Sequence, residues 1–199
     1  MILAVGTDPF VQNAPSIQWM AAGVASLVAA AIDLRSRRIP NWLTGSVFLI
    51  GVAWVVAEGG VRGLTDGLAG CLIMAAPYVA LFLLTPTAGA GDAKLMGALG
   101  MWLGMRNGVV ALVAVTTIGA LLGIAFAQAK HRASGVFSNM LLIVFGLVHV
   151  MSGRMKWNQA DKIIPDSQAL LPVPYGLSIF AGICTAAAIC VHWPARNWI

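Results

Sequence analysis

The sequence predicts an all-α integral-membrane protein, a bundle of six transmembrane helices with an interfacial helix between spans 5 and 6. Hydrophobic residues make up 59% of the 199 residues and charged ones only 10%. With a mean hydropathy of +0.86, the chain carries more apolar surface than one small domain can bury away from water. The apolar residues fall in runs of membrane-spanning length, each bounded by charge, Pro or Gly. The net charge of +5 comes from basic residues placed between those runs rather than on one amphipathic stripe. It therefore reads as membrane topology, with lipids as partners, and excludes a nucleic-acid footprint.

Residues 1–16 contain Asp8, Pro9 and Pro15 but no Lys or Arg, so they lack the basic start of a cleavable signal peptide. They read as an extracytoplasmic tail, and residues 17–199 as a single six-helix membrane domain. Span 1 runs from about Ile17 to Ile32, span 2 from Trp42 to Ala57 and span 3 from Leu68 to Leu84. Span 4 covers about Asp92 to Leu103, span 5 Val109 to Ala127 and span 6 Val173 to Val191. The uncharged stretch 133–153 is also long enough to cross. Charge arbitrates. If the stretch lies in the interface, nine of the twelve Lys and Arg residues fall inside (Arg35, Arg37, Arg38, Lys94, Lys130, Arg132, Arg154, Lys156, Lys162) and three outside (Arg62, Arg106, Arg196). If it crosses, the split is seven to five, a poorer fit to the positive-inside tendency. Six spans with both termini outside are expected, in a cytoplasmic membrane.

Two acidic residues fit poorly with this apolar chain. Asp33 ends the first apolar run at the cytoplasmic side, where the helix dipole disfavours negative charge and a Lys or Arg would cost less; pairing with Arg35, Arg37 or Arg38 at the membrane surface is the bland alternative. Asp92 follows Gly89-Ala90-Gly91 and opens a span of only about 12 residues, roughly 18 Å of helix against a hydrocarbon core of roughly 30 Å. Asp92 therefore lies below the inner membrane surface, at a depth where ionisable groups usually mark function and irregular Gly-rich backbone needs protein or a wet cavity beside it. The topology puts both aspartates at inner ends of their spans, where they can meet. Two facing carboxylates share one proton, the arrangement with which aspartic proteases activate water. Helix ends suggest Asp92, at an N-terminus, as the ionised partner and Asp33, at a C-terminus, as the protonated one.

Asp33-Leu34-Arg35, Ile39-Pro40-Asn41-Trp42-Leu43, Gly89-Ala90-Gly91-Asp92-Ala93-Lys94-Leu95 and Pro174-Tyr175-Gly176 together resemble the type IV prepilin peptidase family. The chain is similar to the short enzymes of tight-adherence pilus systems and to archaeal preflagellin peptidases. The resemblance implies a membrane aspartic endopeptidase of the Gly-x-Gly-Asp type, in which Asp33 and Asp92 cleave a basic leader, typically after a glycine, at the cytoplasmic face. The implied substrate is a type IV pilin or pseudopilin precursor, and neither cofactor nor metal is implied. Long members carry paired C-x-x-C sites between spans 1 and 2 and N-methylate the new terminus with S-adenosylmethionine. Here only residues 34–41 lie between those spans, so peptidase activity alone is expected.

Around this pair, Gly89, Gly91, Lys94, Pro40, Asn41, Pro174, Tyr175 and Gly176 are candidate supporting residues. Pro40 also suits the first turn of span 2 as a purely structural residue. Asn41 reads equally as a turn residue or as a group orienting the Asp33 loop. Lys94 lies on a different helix face from Asp92 and reads first as a side chain snorkelling to headgroups. Cys71, Cys184 and Cys190 lie in apolar runs and His131, His149 and His192 are scattered, so no ligand set is expected. Presenilin-type proteases share Gly-x-Gly-Asp but place Tyr before the first aspartate, where this chain has Ile32. A proton-coupled transporter would call for paired halves and midplane carboxylates, neither of which the sequence shows. A non-catalytic assembly subunit leaves both aspartates unexplained.

Overall fold

The computed structural model describes residues 15–84, 89–129 and 175–192. The N-terminal tail up to residue 14, the stretch 133–153 and Pro174 lie outside the described residues. Four helices account for the rest: α1 Pro15–Ser36, α2 Asn41–Leu84, α3 Ala90–Ala129 and α4 Tyr175–His192. Three contain segments long and apolar enough to cross a membrane, Ile17–Ser36, Asn41–Phe82 and Ala90–Ala125, and Tyr175–Val191 is a shorter apolar helix. Large apolar side chains point outward, among them Leu49, Leu72 at 70% exposure and Val61 at 79%. Such a surface suits lipid, and the protein is a multi-pass membrane protein.

The apolar stretches of α2 and α3, 42 and 36 residues long, are about twice what one crossing needs. Each helix is broken at one glycine, Gly60 in α2 (φ 54, ψ −136) and Gly104 in α3 (φ 70, ψ −176). Only glycine enters this part of backbone space at low cost. The chain doubles back at both points. A Cβ on Gly67 would lie 3.5 Å from Val55 Cγ2, although residues twelve apart on a straight helix are about 18 Å from each other. Along α3, Gly97 faces Cys71 and Ala75, Gly100 and Gly104 face Gly70, and Gly108 faces Gly70 and Met74. The partner numbers fall and then rise again, as a reversal at Gly104 requires. Polar residues at 58–67 and 104–108 suggest connecting loops between spans, yet the helix runs through both apart from the single glycine.

Small residues let these segments approach. A Cβ on Gly70 or Gly100 would fall on the other's carbonyl oxygen, so the two backbones touch, as small-residue interfaces in membranes allow. Near the reversals Trp54 stacks on Trp102 (6.1 Å between centroids), whose indole donates to Val47 O at 2.9 Å. The Met105 amide, released by the break at Gly104, donates to Asp66 Oδ1 at 3.2 Å. A carboxylate of α2 thus caps the second segment of α3, where the helix dipole favours negative charge. Met74, Leu95, Met96, Leu99, Val115, Ile179 and Ile183 form the fully buried centre. Helix α4 packs on α1 and α3, with Gly182 against the Val115 backbone.

Helix α1 runs one turn past Asp33. Arg37 donates its amide to Asp33 O at 2.8 Å and then takes a left-handed φ of 51, while Ser36 Oγ donates to Ile32 O and Arg38 O. Pro40 follows at once. It biases Ile39 toward extended backbone, and its carbonyl accepts the Leu43 and Thr44 amides that start α2.

Gly104→Ala forces a methyl group onto the Asp66 carboxylate in a conformation that L-residues resist. It should lower stability by about 1–2 kcal/mol or more, read by thermal unfolding in detergent. Gly123→Ala, with nothing within 4 Å of its Cβ, should be neutral or stabilising in the same measurement.

Candidate active site

Ala22, Ser26, Ala29 and Asp33 recur at helical spacing and are all buried, so Asp33 belongs to the face of α1 that packs into the bundle. Its side chain is 8% exposed. The Gly176 amide donates to Asp33 Oδ2 at 3.0 Å, within buried surroundings. Gly176 lies in the first turn of α4, where amides have no partner within their own helix. Carboxylate and helix end thus satisfy each other across the bundle. The helix-end argument for the protonated partner changes accordingly. Asp33 stands at the C-terminus of α1 but its carboxylate meets the N-terminus of α4, so both aspartates face positive dipole ends and the dipole does not distinguish them. Pairing with the arginine cluster is not what the structure shows either. Arg35, Arg37 and Arg38 are exposed, and among the described residues no ion pair reaches Asp33.

Asp92 lies in the first turn of α3, with its amide on Gly89 O at 3.1 Å. The two glycines before it do different work. A Cβ on Gly89 would sit 3.0 Å from Asp92 Oδ2, so the missing side chain leaves room for the carboxylate. A Cβ on Gly91 would sit 3.1 Å from Ile39 Cβ, so Gly91 lets the turn between α1 and α2 lie against the start of α3. This contact brings the turn after Asp33 to the helix that carries Asp92. The two carboxylates lie within range of each other's charge.

The other candidates gather at this end of the bundle. Lys94 Nζ donates to Asn41 Oδ1 at 2.9 Å, joining the starts of α2 and α3 rather than only reaching toward headgroups. Pro40 precedes the first residue of α2 instead of lying inside its first turn, and it serves as a carbonyl acceptor. Lys94 and Asn41 line the mouth of an apolar groove of about 570 Å³ with Phe48, Val79, Phe82 and Gly97. Its α3 side is formed by Ala90, Ala93, Lys94 and Gly97, opposite Asp92 on the helix. The groove and the carboxylates thus occupy different faces of α3. Among the described residues, no group of three His, Cys, Asp or Glu side chains could hold a metal.

One residue at the site escapes sequence reasoning. Tyr78 is 8% exposed, and its ring meets Tyr175 edge-on with centroids 5.9 Å apart. The two hydroxyls feel each other, and both rings' hydroxyls lie within electrostatic reach of Asp92. Even so, the buried Tyr78 hydroxyl makes no hydrogen bond of good geometry. Leaving such a group unpaired costs about 1–3 kcal/mol. The available signal is compositional: the chain has two tyrosines, and Tyr78 lies toward the inner end of span 3. Tyr175 is seated by Gly119, where a Cβ would stand 2.7 Å from the Tyr175 hydroxyl.

The sequence profile of the type IV leader peptidase family matches residues 20–124, which include Asp33 and Asp92. No curated protein and no solved structure matches the chain.

Gly176→Ala would place a methyl group 3.0 Å from Asp33 Cβ and 3.1 Å from Ala30 Cα, wedging α4 from α1. Stability should fall by about 1–3 kcal/mol, as overpacked cores do, measured by thermal unfolding in detergent.

Proposed function

The chain belongs to the type IV leader peptidase family, and from that premise we propose that it is a membrane aspartic endopeptidase acting through Asp33 and Asp92 on type IV pilin or pseudopilin precursors. The observation that supports this reading is that Gly91 seats the turn after Asp33 on the start of α3, so both aspartates lie at one end of the bundle, each at a helix N-terminus, with no cation paired to either among the described residues. Carboxylates so placed hold one proton between them. The ionised oxygen takes a proton from a water molecule as that water adds to the scissile carbonyl, while the shared proton passes to the carbonyl oxygen. Collapse of the tetrahedral intermediate breaks the C–N bond. The leaving nitrogen takes up a proton and the dyad returns to its singly protonated state. The two carboxyl groups act as one titrating unit.

The two reversals double α2 and α3, so with α1 and α4 the described residues form six helical segments, which supports a reading of six crossings. Arg35, Arg37, Arg38 and Lys94 lie at the dyad end, and Arg62 and Arg106 lie near Gly60 and Gly104 at the other. By the positive-inside tendency the dyad faces the cytoplasm, where the precursor's leader remains after its apolar helix has entered the membrane. The exposed arginines suit anionic headgroups better than a basic leader, so they anchor the enzyme at the surface where the leader lies. With only four residues between α1 and α2, the chain has no room there for the C-x-x-C segment of methylating relatives, and the reading is of a peptidase alone.

Purified protein in lipid should shorten a pilin precursor by its leader. Asp33→Asn and Asp92→Asn should each reduce cleavage by about 1,000-fold or more, as loss of one member of a catalytic unit does. Full activity in either variant excludes the dyad. Mass spectrometry with S-adenosylmethionine present should find no added methyl group on the product.

A further inference from the structure

The apolar groove on the other face of α3 has no part in the reaction above. It lies between the start of α2, the later arm of α2 and the start of α3, and Gly45, Ala75, Ala93 and Gly97 line it with little more than backbone. Those small residues keep about 570 Å³ open, within the size of pockets that take small molecules. A Cβ on Gly45 would meet nothing within 4 Å, so the space begins at the helix surface. Along the start of α2 the lining runs from Asn41 to Phe48, about 10 Å of helix, and on the later arm from Phe82 back to Cys71, about 16 Å. One leaflet of a hydrocarbon core roughly 30 Å thick has a similar depth.

The mouth differs in kind from the rest. Among the described residues that line the groove Lys94 alone is charged, and it is exposed. Asn41 Oδ1 accepts one of its three N–H donors at 2.9 Å, and among the described residues the other two meet no acceptor. Trp42, next to Asn41, is exposed as well, and an exposed indole at a helix end marks the level of the headgroups. An apolar slot one leaflet deep, opening at that level beside a cation that no acid offsets, complements an anionic amphiphile. We propose that the groove binds one anionic phospholipid, an acyl chain lying against Phe48, Val79 and Phe82 and the phosphate bonded to Lys94 Nζ. The exposed arginines attract headgroups only, whereas this site also holds a chain and so keeps one lipid in a fixed place. Two other occupants fit less well. A pilin precursor brings a basic leader, which Lys94 repels, and its scissile bond has to reach another face of α3. A second copy in the same orientation would set its own Lys94 and arginines at this level, like charge against like.

Two thiols of the chain report on the site and on a control: Cys71 lines the groove, and Cys184 is exposed on α4 outside it. The full chain in detergent is alkylated with an apolar maleimide, and each cysteine is followed by peptide mass spectrometry as phosphatidylglycerol, phosphatidylcholine or a pilin precursor is added. Phosphatidylglycerol at about ten times its Kd should slow Cys71 by about tenfold and leave Cys184 unchanged. Phosphatidylcholine should need about fivefold more lipid for the same protection, the worth of one cation beside an anionic headgroup. Lys94→Met should erase that difference between the two lipids. Gly45→Leu fills the groove from a position with open space, and in native mass spectrometry it should lose the phosphatidylglycerol that the wild-type protein retains. No protection of Cys71 or equal protection by both lipids in the wild-type chain overturns the proposal, as does retention of the lipid by Gly45→Leu. Protection by the precursor instead assigns the groove to substrate, and protection that grows with protein concentration without lipid assigns it to a second copy, and either outcome also overturns it. None of these measurements involves cleavage, so the dyad reading stands or falls separately.

Discussion

One buried hydrogen bond, from the Gly176 amide to Asp33 Oδ2, ties the first helix of the bundle to the last. Few polar contacts do comparable work in a chain with so little charge. The bond satisfies a helix-end amide that lipid could not, and it sets a carboxylate at a depth where water alone would not keep it ordered. A buried hydrogen bond of this kind is worth about 0.5–1.5 kcal/mol net and costs more to break than that, enough to fix how these ends of α1 and α4 face each other. Gly176 is glycine for a related reason: any side chain there would occupy the space of Asp33 and Ala30.

Asp92 is placed by a different device. The backbones of α2 and α3 meet at Gly70 and Gly100, Ile39 rests on Gly91, and Lys94 reaches Asn41. These contacts run from the middle of the bundle to the end that carries the aspartates and fix how far α3 stands from the turn after α1. The apolar groove on the far side of α3 shows how finely the faces of one helix are divided. Residues two positions apart, Asp92 and Lys94, look into separate spaces.

Much of this was legible in the sequence, because hydrophobic runs and the placement of basic residues are strong signals in a membrane protein. The apolar runs located the first and last helices to within a few residues, while spans 2 and 3, and spans 4 and 5, fall within α2 and α3. Three features lay beyond it. The reversals at Gly60 and Gly104 need one residue each, and in a chain with 22 glycines no local pattern marks which ones bend. The dipole argument for Asp33 considered its own helix and could not see the N-terminus of α4 arriving from residues 175–176. Tyr78 was hidden because a lone tyrosine in an apolar run looks like an ordinary interfacial anchor, and its unpaired hydroxyl exists only in three dimensions.

The one-residue reversals also bear on how the two long helices hold together. Neither α2 nor α3 has a connector at its far end that could be threaded alone, and Asp66 of one reversal caps the helix leaving the other. The polar tip carrying Glu58, Arg62 and Asp66 stays attached to two apolar arms. Each pair of arms therefore packs as a helical hairpin, and the first completes the second by presenting Asp66 to its Met105 amide.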